Sequence, residues 1–389
     1  MDISVFFTPT LVALEDSITD GKNRLYNAIS RNENNHFPDL EGVKVALIGV
    51  QEDRKGIYGA GSANGPDAVR KRLYQLFKLD SNVQIADLGN IFQGERYEDT
   101  QFALEQTVEF LLKKDIIPLI IGGSQDLTLS IYKGYGHLEQ TVNLVTIDSR
   151  LDFGEQDDEF NDTNYLNQIV LHQPNYLFNY SNIGHQRYFV DPELLELMDK
   201  LFFDTLRLGV VNENLWESEP ILRQADLVSL DLNSIRKSEM PGNESAGPNG
   251  LYAEKVCQMA RYSGISDKLS SFGVFGYDPL SDPSGAGAEL VAEILWCFLD
   301  GVKDRKSDSP IGDKKDFIKY TVHSESHGHN LIFYKSEKSD RWWMDVPYPA
   351  GQKNKYERHH LVPCTYTDYQ RATNEDIPDR WWKTYQKLT

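Results

Sequence analysis

The 389-residue chain carries a formal net charge of −19 and is 40% hydrophobic, as expected of a protein with a sizeable core. This acidity argues against nucleic acid or an anionic membrane surface as a partner, and no stretch approaches the length of a membrane span. Met1–Thr10 lacks the basic start and apolar run of a signal peptide, and three widely spaced cysteines without a CxxC motif favour a reduced, cytoplasmic protein.

The first 42 residues differ from the region that follows them. Residues 1–42 are mixed and polar, and we predict an N-terminal extension with a helix at Ala13–Ile29. From Val43 onward, short β-branched apolar runs alternate with longer amphipathic stretches, which predicts parallel strands connected by helices. The predicted strands are Val43–Val50, Val83–Leu88, Ile116–Ile121, Asn143–Asp148, Tyr176–Ile183, Leu206–Val211, Leu227–Asp231 and Ser271–Tyr277.

The predicted helices lie between these strands, and an apolar helix at Ala286–Asp300 closes the region. Eight strands in about 250 residues fit one domain better than two. We therefore predict an α/β domain at residues 43–300, with three α/β/α layers and a mostly parallel eight-stranded sheet. The other predicted helices are Pro66–Phe77, Thr100–Lys113, Leu127–Tyr135, Pro192–Phe203 and Leu251–Gly264.

The composition changes again after this domain. Residues 301–315 are dense in Asp, Lys, Ser and Pro, which predicts a surface linker. Residues 316–389 are rich in Trp and Tyr, and exposed aromatic side chains at that density promote aggregation unless they are covered. We expect this C-terminal appendage to pack on the main domain or on another subunit of a homo-oligomer. Its predicted strands are Phe317–Tyr320, Asn330–Tyr334 and Trp342–Val346.

Polar clusters follow three of the predicted buried strands. Gly122–Asp126, Asp148–Asp152 and Asp231–Asn233 each come directly after an apolar run. Open α/β sheets place ligand chemistry just beyond the carboxyl ends of their strands. Taken alone, the acidic residues could equally be strand-end carboxylates that cap the next helix. The clusters are therefore candidates for a ligand-binding edge of the sheet.

The order of several motifs resembles that of the ureohydrolase superfamily, which includes arginase, agmatinase and formimidoylglutamase. Gly61–Arg70 resembles the family's G-A-x-x-G-P-x-A-I-R signature, and Ala86–Gly89 resembles its D-x-G motif after the second strand. The three polar clusters align with G-G-D-H-S, D-A-H-x-D and S-x-D-x-D. The resemblance runs from about Lys44 to Asp300 and implies the fold predicted above.

In that family, six ligands hold two manganese ions that share a hydroxide, and the hydroxide attacks an amidine or guanidine carbon. Of the residues that the resemblance places at these positions, only the three aspartates match. Gln125 and Arg150 replace histidines and Asn233 replaces an aspartate; a guanidinium has no lone pair for a metal. The six positions are Gln125, Asp148, Arg150, Asp152, Asp231 and Asn233.

The charges at these positions favour a site without metal. Three aspartates and Arg150 carry a formal charge of −2 together, and two divalent ions would lie beside a fixed cation. We hypothesise that the Arg150 fork donates to the carboxylates in bidentate fashion and replaces part of the metals' electrostatic role. No cofactor is expected, with at most one hard ion at Asp148, Asp152 and Asp231. If the site is active, manganese is expected.

Three further residues are candidates for the cleft. These are Asp126, His185 and Asp278, the last lying near Gly276, where the resemblance places the family's substrate-binding glutamate. His185 follows a predicted strand and could equally be a structural histidine. Asn161–Tyr165 corresponds to the family's S-G-T-P-F loop, with an altered sequence.

Three functional hypotheses follow. The favoured one is a ureohydrolase-fold protein with an eroded dinuclear manganese site, catalytically silent, that binds a small molecule or a partner. The alternative is an active formimidoylglutamase-type hydrolase of an amidine or guanidino C–N bond. The third is a structural subunit that assembles with an active paralogue. Gln125, Arg150 and Asn233 favour the first or third of these over the second.

Overall fold

The structure of the protein is a computed structural model, which describes residues 1–12, 14, 22–33, 36–136, 138, 140–154, 158–311, 314–323, 330–349 and 356–389. Its larger part is built around one main sheet. The sheet has ten strands: β1 (Phe7–Thr8), β2 (Ile29–Arg31), β3 (Val43–Val50), β4 (Gln84–Ile91), β5 (Ile117–Ile121), β6 (Val142–Ile147), β7 (Leu177–Ile183), β8 (Asp204–Leu206), β9 (Leu227–Asp231) and β10 (Ser271–Phe275). Their order is β1-β4-β3-β5-β10-β9-β6-β7-β8, and β2 also pairs with β4. Only the β1–β4 pair is antiparallel among these described strands.

Helices cover both faces of this sheet because alternate residues of its strands are apolar on both sides. Val45 and Leu47 of β3 belong to one buried core, whereas Ala46 and Ile48 belong to the other. This arrangement confirms the predicted three-layer α/β fold with a mostly parallel sheet. The helices are α1 (Gly65–Leu73), α2 (Tyr97–Leu112), α3 (Thr128–Gly136), α4 (Tyr165–Val170), α5 (Pro192–Lys200), α6 (Leu208–Glu213), α7 (Ser218–Gln224), α8 (Ala253–Ile265) and α9 (Ala286–Lys303).

Two local predictions differ from the structure. The strand predicted at Leu206–Val211 is wrong, because β8 ends at Leu206 and helix α6 begins at Leu208; a short apolar run does not distinguish a strand from a buried helix. Eight of the seventeen residues of the helix predicted at Ala13–Ile29 lie outside the described residues. Its described end holds a short 3-10 helix at Leu25–Ala28, and β2 follows it. The N-terminal extension therefore adds strands to the sheet.

A buried arginine connects α1 to β4. Arg70 is fully buried, and its Nε and Nη2 atoms donate to the two carboxylate oxygens of Asp87 at 2.8 and 3.0 Å. Tyr74 donates to the same carboxylate at 2.7 Å. Burial opposes ionisation of Arg70, but the charge and hydrogen bonds of Asp87 outweigh it and raise the pKa of Arg70. Two otherwise costly buried charges are thus paired with bidentate geometry.

The C-terminal appendage forms a second, smaller sheet with its own core. Its strands are antiparallel, and its aromatic side chains pack against two helices and against each other. Trp342, Trp343 and Trp381 are buried, so most of the Trp residues that the sequence places here are covered. The elements are β11 (Phe317–His323), β12 (Asn330–Ser336), β13 (Trp342–Asp345), β14 (Leu361–Cys364), α10 (Tyr366–Thr373) and α11 (Asp379–Leu388).

The appendage packs directly on the main domain. The His359 ring stacks on Phe178 of β7 with 3.7 Å between ring centroids, and its Nε2 atom lies 2.7 Å from Thr141 Oγ1. On the same side, the Arg223 guanidinium of α7 lies 4.5 Å from the Trp343 ring and donates to the Cys364 carbonyl. These contacts connect the two cores through aromatic and polar side chains.

No helix among the described residues is both long and apolar enough to cross a membrane.

We expect the substitution Arg70→Met to lower the free energy of unfolding by about 3–5 kcal/mol, because it leaves the Asp87 carboxylate buried without its counter-charge. Chemical denaturation monitored by fluorescence measures this loss. The matched control is Lys71→Met, one residue away on the exposed side of α1, which should change stability by less than about 0.5 kcal/mol. Equal losses of stability in the two variants would contradict the conclusion that the buried Arg70–Asp87 pair stabilises the fold.

Candidate functional site

The strand order brings the predicted site residues together. Strands β5, β10, β9 and β6 are neighbours and run parallel, so their carboxyl ends lie at one edge of the sheet. Gln125 follows β5, Asp231 ends β9, and Asp148 and Asp152 follow β6. Sequence segments about a hundred residues apart thereby form one site.

Glycines shape the loops that leave this edge. Gly122 and Gly123 have φ values of 90° and 75°, and Gly276 after β10 has a φ of 84°. Residues with a Cβ atom rarely adopt this left-handed conformation. A Cβ atom on Gly123 would also lie 2.6 Å from the Glu52 carbonyl oxygen. The double glycine therefore turns the chain sharply enough to place Gln125 directly over the ends of β9 and β6.

Three carboxyl groups are buried at the centre of the site. Asp148, Asp152 and Asp231 are 1%, 4% and 7% exposed. Burial raises the pKa of all three, and the negative charge of Asp148 raises the pKa of Asp152 and Asp231 further. The raised pKa values mean that the protonated forms of these carboxyl groups are more favoured in the folded protein than in water.

The Gln125 amide spans two of these carboxyl groups. One end of the amide lies 2.7 Å from Asp148 Oδ2 and 3.1 Å from Asp152 Oδ2, while the other end lies 3.2 Å from Ser229 Oγ. We assign the nitrogen to the carboxylate end, because an ionised carboxylate only accepts hydrogen bonds. Gln125 then donates two hydrogen bonds where the resemblance implied an imidazole bound to metal.

Asn233 and Asp231 are held by the neighbouring backbone. Asn233 Oδ1 accepts hydrogen bonds from the Ser149 backbone N–H at 3.2 Å and from Ser149 Oγ at 2.8 Å. Asp231 Oδ1 accepts from the Asn233 backbone N–H at 2.7 Å. The side chain of Asn233 therefore connects the loop after β9 to the loop after β6, in the manner of a structural amide.

Arg150 does not form the bidentate pair that the sequence suggested. Its guanidinium lies between the rings of Tyr58 and Phe189, 4.4 Å from each centroid, and Nη1 donates to Ser149 Oγ at 3.2 Å. The backbone N–H of Arg150, rather than its side chain, donates to Asp148 at 2.8 Å. Aromatic faces attract the cation and hold it at the rim of the site. Its charge still offsets part of the pKa rise of Asp148 and Asp231.

The three additional candidates have different surroundings. Asp126 is buried and accepts a short hydrogen bond from Tyr97, and burial raises its pKa to about 6. His185 is buried after β7, and burial together with Arg187 lowers its pKa to about 4, so it is neutral at pH 7. Asp278 instead accepts hydrogen bonds from the backbone N–H groups of residues 280 and 281. These contacts organise a turn and do not direct the Asp278 side chain at the carboxyl cluster.

Several residues of the site were not identified from the sequence. Asp162 accepts three hydrogen bonds from the backbone N–H groups of Ile57, Tyr58 and Gly59, at 2.8, 3.0 and 2.8 Å, and so fixes the loop that carries Tyr58. Its place in the segment that resembles the family's substrate loop was the one sequence feature that pointed to a role for Asp162 in the site. No sequence feature pointed to Tyr58 or Phe189, because their role depends on contact between segments distant in sequence.

The donor set does not fit two manganese ions. Gln125 presents N–H groups to the carboxylates, the Asn233 oxygen is occupied by Ser149, and Arg150 cannot ligate. Hard divalent ions require oxygen or imidazole lone pairs directed at a common point. Within the described ranges, no three His, Cys, Asp or Glu side chains are placed to hold a metal ion. No catalytic step through a metal is therefore derived for these residues.

Comparison with known proteins identifies the family. The sequence profile described as "Arginase family" matches residues 43–300. The chain belongs to the arginase family. A formimidoylglutamase from Salmonella typhi is 24% identical over 293 residues, covering 72% of this chain and 93% of that protein. Further relatives from other Salmonella strains and from Citrobacter koseri are also named formimidoylglutamases.

Solved structures agree with the arginase-family fold. The formiminoglutamase of Trypanosoma cruzi with Mn2+ superposes with a TM-score of 0.65 at 18% identity, covering 73% of this chain and 99% of that one. The formimidoylglutamase of Bacillus subtilis also gives a TM-score of 0.65, at 19% identity, with 77% and 98% covered. At this level of identity the likeness concerns the fold. The chemistry of this chain depends on its own residues.

We expect the stability of the protein to fall with rising pH because of the buried carboxyl groups. An unfolded Asp has a pKa near 4, whereas the pKa of Asp152 in the folded protein is raised. The protonated form of Asp152 therefore stabilises the folded protein fully below pH ~4. This stabilisation is lost as the pH rises through the raised pKa. Asp152→Asn mimics the protonated form. The difference in free energy of unfolding between Asp152→Asn and wild type should therefore grow in favour of the variant from pH 5 to pH 9, by on the order of 1–3 kcal/mol.

Thermal unfolding at both pH values measures this difference. Asp199→Asn, at an exposed position of α5, is the control for removing one carboxylate from the acidic surface. If Asp152→Asn and Asp199→Asn respond to pH in the same way, burial of Asp152 is not the cause.

Proposed function

We propose that this arginase-family protein binds a small amidine- or guanidine-bearing ligand in its cleft without dinuclear manganese and without hydrolysing it. The observation that carries this proposal is the position of the Gln125 amide, one end of which lies 2.7 Å from Asp148 Oδ2 and 3.1 Å from Asp152 Oδ2. With its nitrogen assigned to that end, the amide offers N–H groups in the place where a metal ion, which accepts lone pairs, would lie. The carboxyl cluster is thus held by hydrogen bonds.

The chemistry of the cleft supports a cationic ligand. The acidic cluster lies at the base of the site, and Asp231 is the most exposed of its three carboxyl groups. Gly276 lies beside it: a Cβ atom there would be 3.3 Å from Asp231 Oδ1, so its lack of a side chain leaves room for a ligand group. An amidinium or guanidinium matches a carboxylate with two parallel hydrogen bonds. Such a ligand lowers the pKa of the acids and releases protons when it binds.

The rim of the cleft supports a ligand that also carries an acidic group. Arg150 is fixed between Tyr58 and Phe189, and Phe189 is half-exposed. A cation held by aromatic rings at the rim is positioned to accept a ligand carboxylate. Formimidoylglutamate combines the two groups, an amidine and carboxylates, and we propose ligands of this kind.

A second candidate is hydrolysis of such a ligand, as in the named formimidoylglutamases. The family match over residues 43–300 and the formimidoylglutamase relatives support this candidate. It requires a water nucleophile that is activated by other means than the six-ligand set, because Gln125, Arg150 and Asn233 do not supply that set. Both candidates predict the same kind of ligand, and they differ in whether the protein hydrolyses it.

We expect calorimetry to detect binding of N-formimidoyl-L-glutamate, with proton release that varies with the ionisation enthalpy of the buffer. Formamide release should stay at the background rate with and without added manganese. Protein purified without chelator should hold at most one ion per chain by plasma mass spectrometry. Formamide release above the background rate would replace the proposal by the hydrolase candidate, two manganese ions per chain would refute the site without dinuclear manganese, and absence of binding would refute both candidates.

We expect manganese binding to appear when the three replaced positions are changed together, in the variant Gln125→His, Arg150→His and Asn233→Asp. The change supplies two imidazoles and a carboxylate, the donors that hard divalent ions accept. Calorimetry with MnCl2 measures the uptake. The control variant Gln106→His, Arg96→His and Asn214→Asp makes the same exchanges away from the cleft. Lack of uptake in the first variant would show that other parts of the site also differ from the family pattern.

A further inference from the structure

A second cavity lies between the main domain and the C-terminal appendage. Its volume is about 260 Å³. One wall is formed by the amino-terminal halves of β6, β7 and β8 together with α7, and the other by β14, α10 and α11. The carboxyl cluster lies beyond the opposite end of β6 and at the end of β9. The cavity is therefore separate from the cleft considered above.

The charged side chains of this cavity are unevenly paired. Lys383 donates to Asp204 at 3.3 Å, and Asp204 also accepts a hydrogen bond from Asn179 at 3.2 Å. Lys387 donates to the neutral side-chain oxygen of Asn179, and no carboxylate of the described residues lies within ion-pair distance of it. Two ammonium groups thus share one carboxylate at one end of the cavity. The other basic residues of the wall have acidic partners, since Arg380 pairs with Glu217 and Arg371 pairs with Asp376.

Burial strengthens this local excess of positive charge. Burial and the nearby Lys383 lower the pKa of Lys387 to about 8, while Asp204 opposes that decrease. A cation whose ionisation is disfavoured by its surroundings gains free energy when an anion binds beside it. This end of the cavity therefore favours a negatively charged group.

The wall also contains an acceptor without a donor. Asn143, at the start of β6, is 2% exposed, and its Nδ2 atom donates to the Gln224 carbonyl at 2.9 Å. Its Oδ1 atom has no hydrogen-bond partner among the described residues. A buried acceptor left unsatisfied costs about 1–3 kcal/mol, so native structures rarely leave one without a partner. A ligand N–H would supply that partner.

We propose that this cavity binds a small carboxylate metabolite of amino-acid size, with its carboxylate between Lys383 and Lys387 and an N–H donor towards Asn143. The volume lies just below the range of about 300–1,000 Å³ that is usual for drug-sized ligands, which favours a ligand of amino-acid size. Because both the sheet and the appendage contribute to the wall, the bound ligand stabilises their contact. This binding is independent of the ligand and chemistry of the cleft.

Calorimetry on the full chain tests the proposal, with L-glutamate, succinate, glycine and inorganic phosphate as separate probes. L-glutamate should bind, and succinate, which lacks the N–H donor, should bind at least tenfold more weakly. Lys387→Met should reduce the affinity for L-glutamate at least tenfold. The matched control is Lys200→Met, which removes an exposed lysine from α5 and should leave binding unchanged.

A second variant keeps the test valid if Lys387→Met impairs folding. Thr384→Phe fills the cavity from α11 without changing a charge and should abolish L-glutamate binding while the circular dichroism spectrum stays that of wild type. Binding of phosphate alone, equal affinity for L-glutamate and succinate, wild-type affinity in folded Thr384→Phe, or no binding of any probe would each overturn the proposal.

Discussion

Burial of three carboxyl groups at one edge of a parallel sheet is the constraint that the site has to satisfy. Water is excluded from Asp148, Asp152 and Asp231, so their charges must be neutralised by ions, by cations of the protein, by hydrogen bonds or by protons. In the pattern to which the sequence is similar, metal ions perform this role. In this chain, Gln125 and backbone N–H groups take part in it, and Arg150 contributes its charge from the rim.

The fold was largely predictable because it depends on patterns that are local or cumulative. Alternating apolar runs predicted the strands from Val43 onward, and several motifs in the right order implied their arrangement. The strand proposed at Leu206–Val211 was wrong because a short apolar run has the same composition in a strand and in a helix. The strand at Leu361–Cys364 was missed because Pro363 within it argues against a strand, although edge strands tolerate proline.

The residues of the site were predictable, but their contacts were not. The identities of Gln125, Arg150 and Asn233 were sufficient to question a metal centre. The direction of the Arg150 side chain depends on Tyr58 and Phe189, which lie about ninety and forty residues away in sequence, respectively. The sequence gives no sign that these rings flank the guanidinium. An arginine next to acids suggests an ion pair, and only the arrangement of the loops shows that an aromatic pair receives it instead.

Packing of the appendage on the main domain affects more than the cavity between them. Strand β8 has three residues and ends the main sheet, and the exposed backbone of such an edge can pair with a strand of another molecule. Lys383 of α11 donates to the Phe203 carbonyl just before this strand and to Asp204 within it. A lysine at the edge of a sheet disfavours pairing with a foreign strand. The aromatic-rich C-terminal segment, itself a risk for self-association when isolated, thus supplies a charged side chain that opposes strand addition to the main sheet.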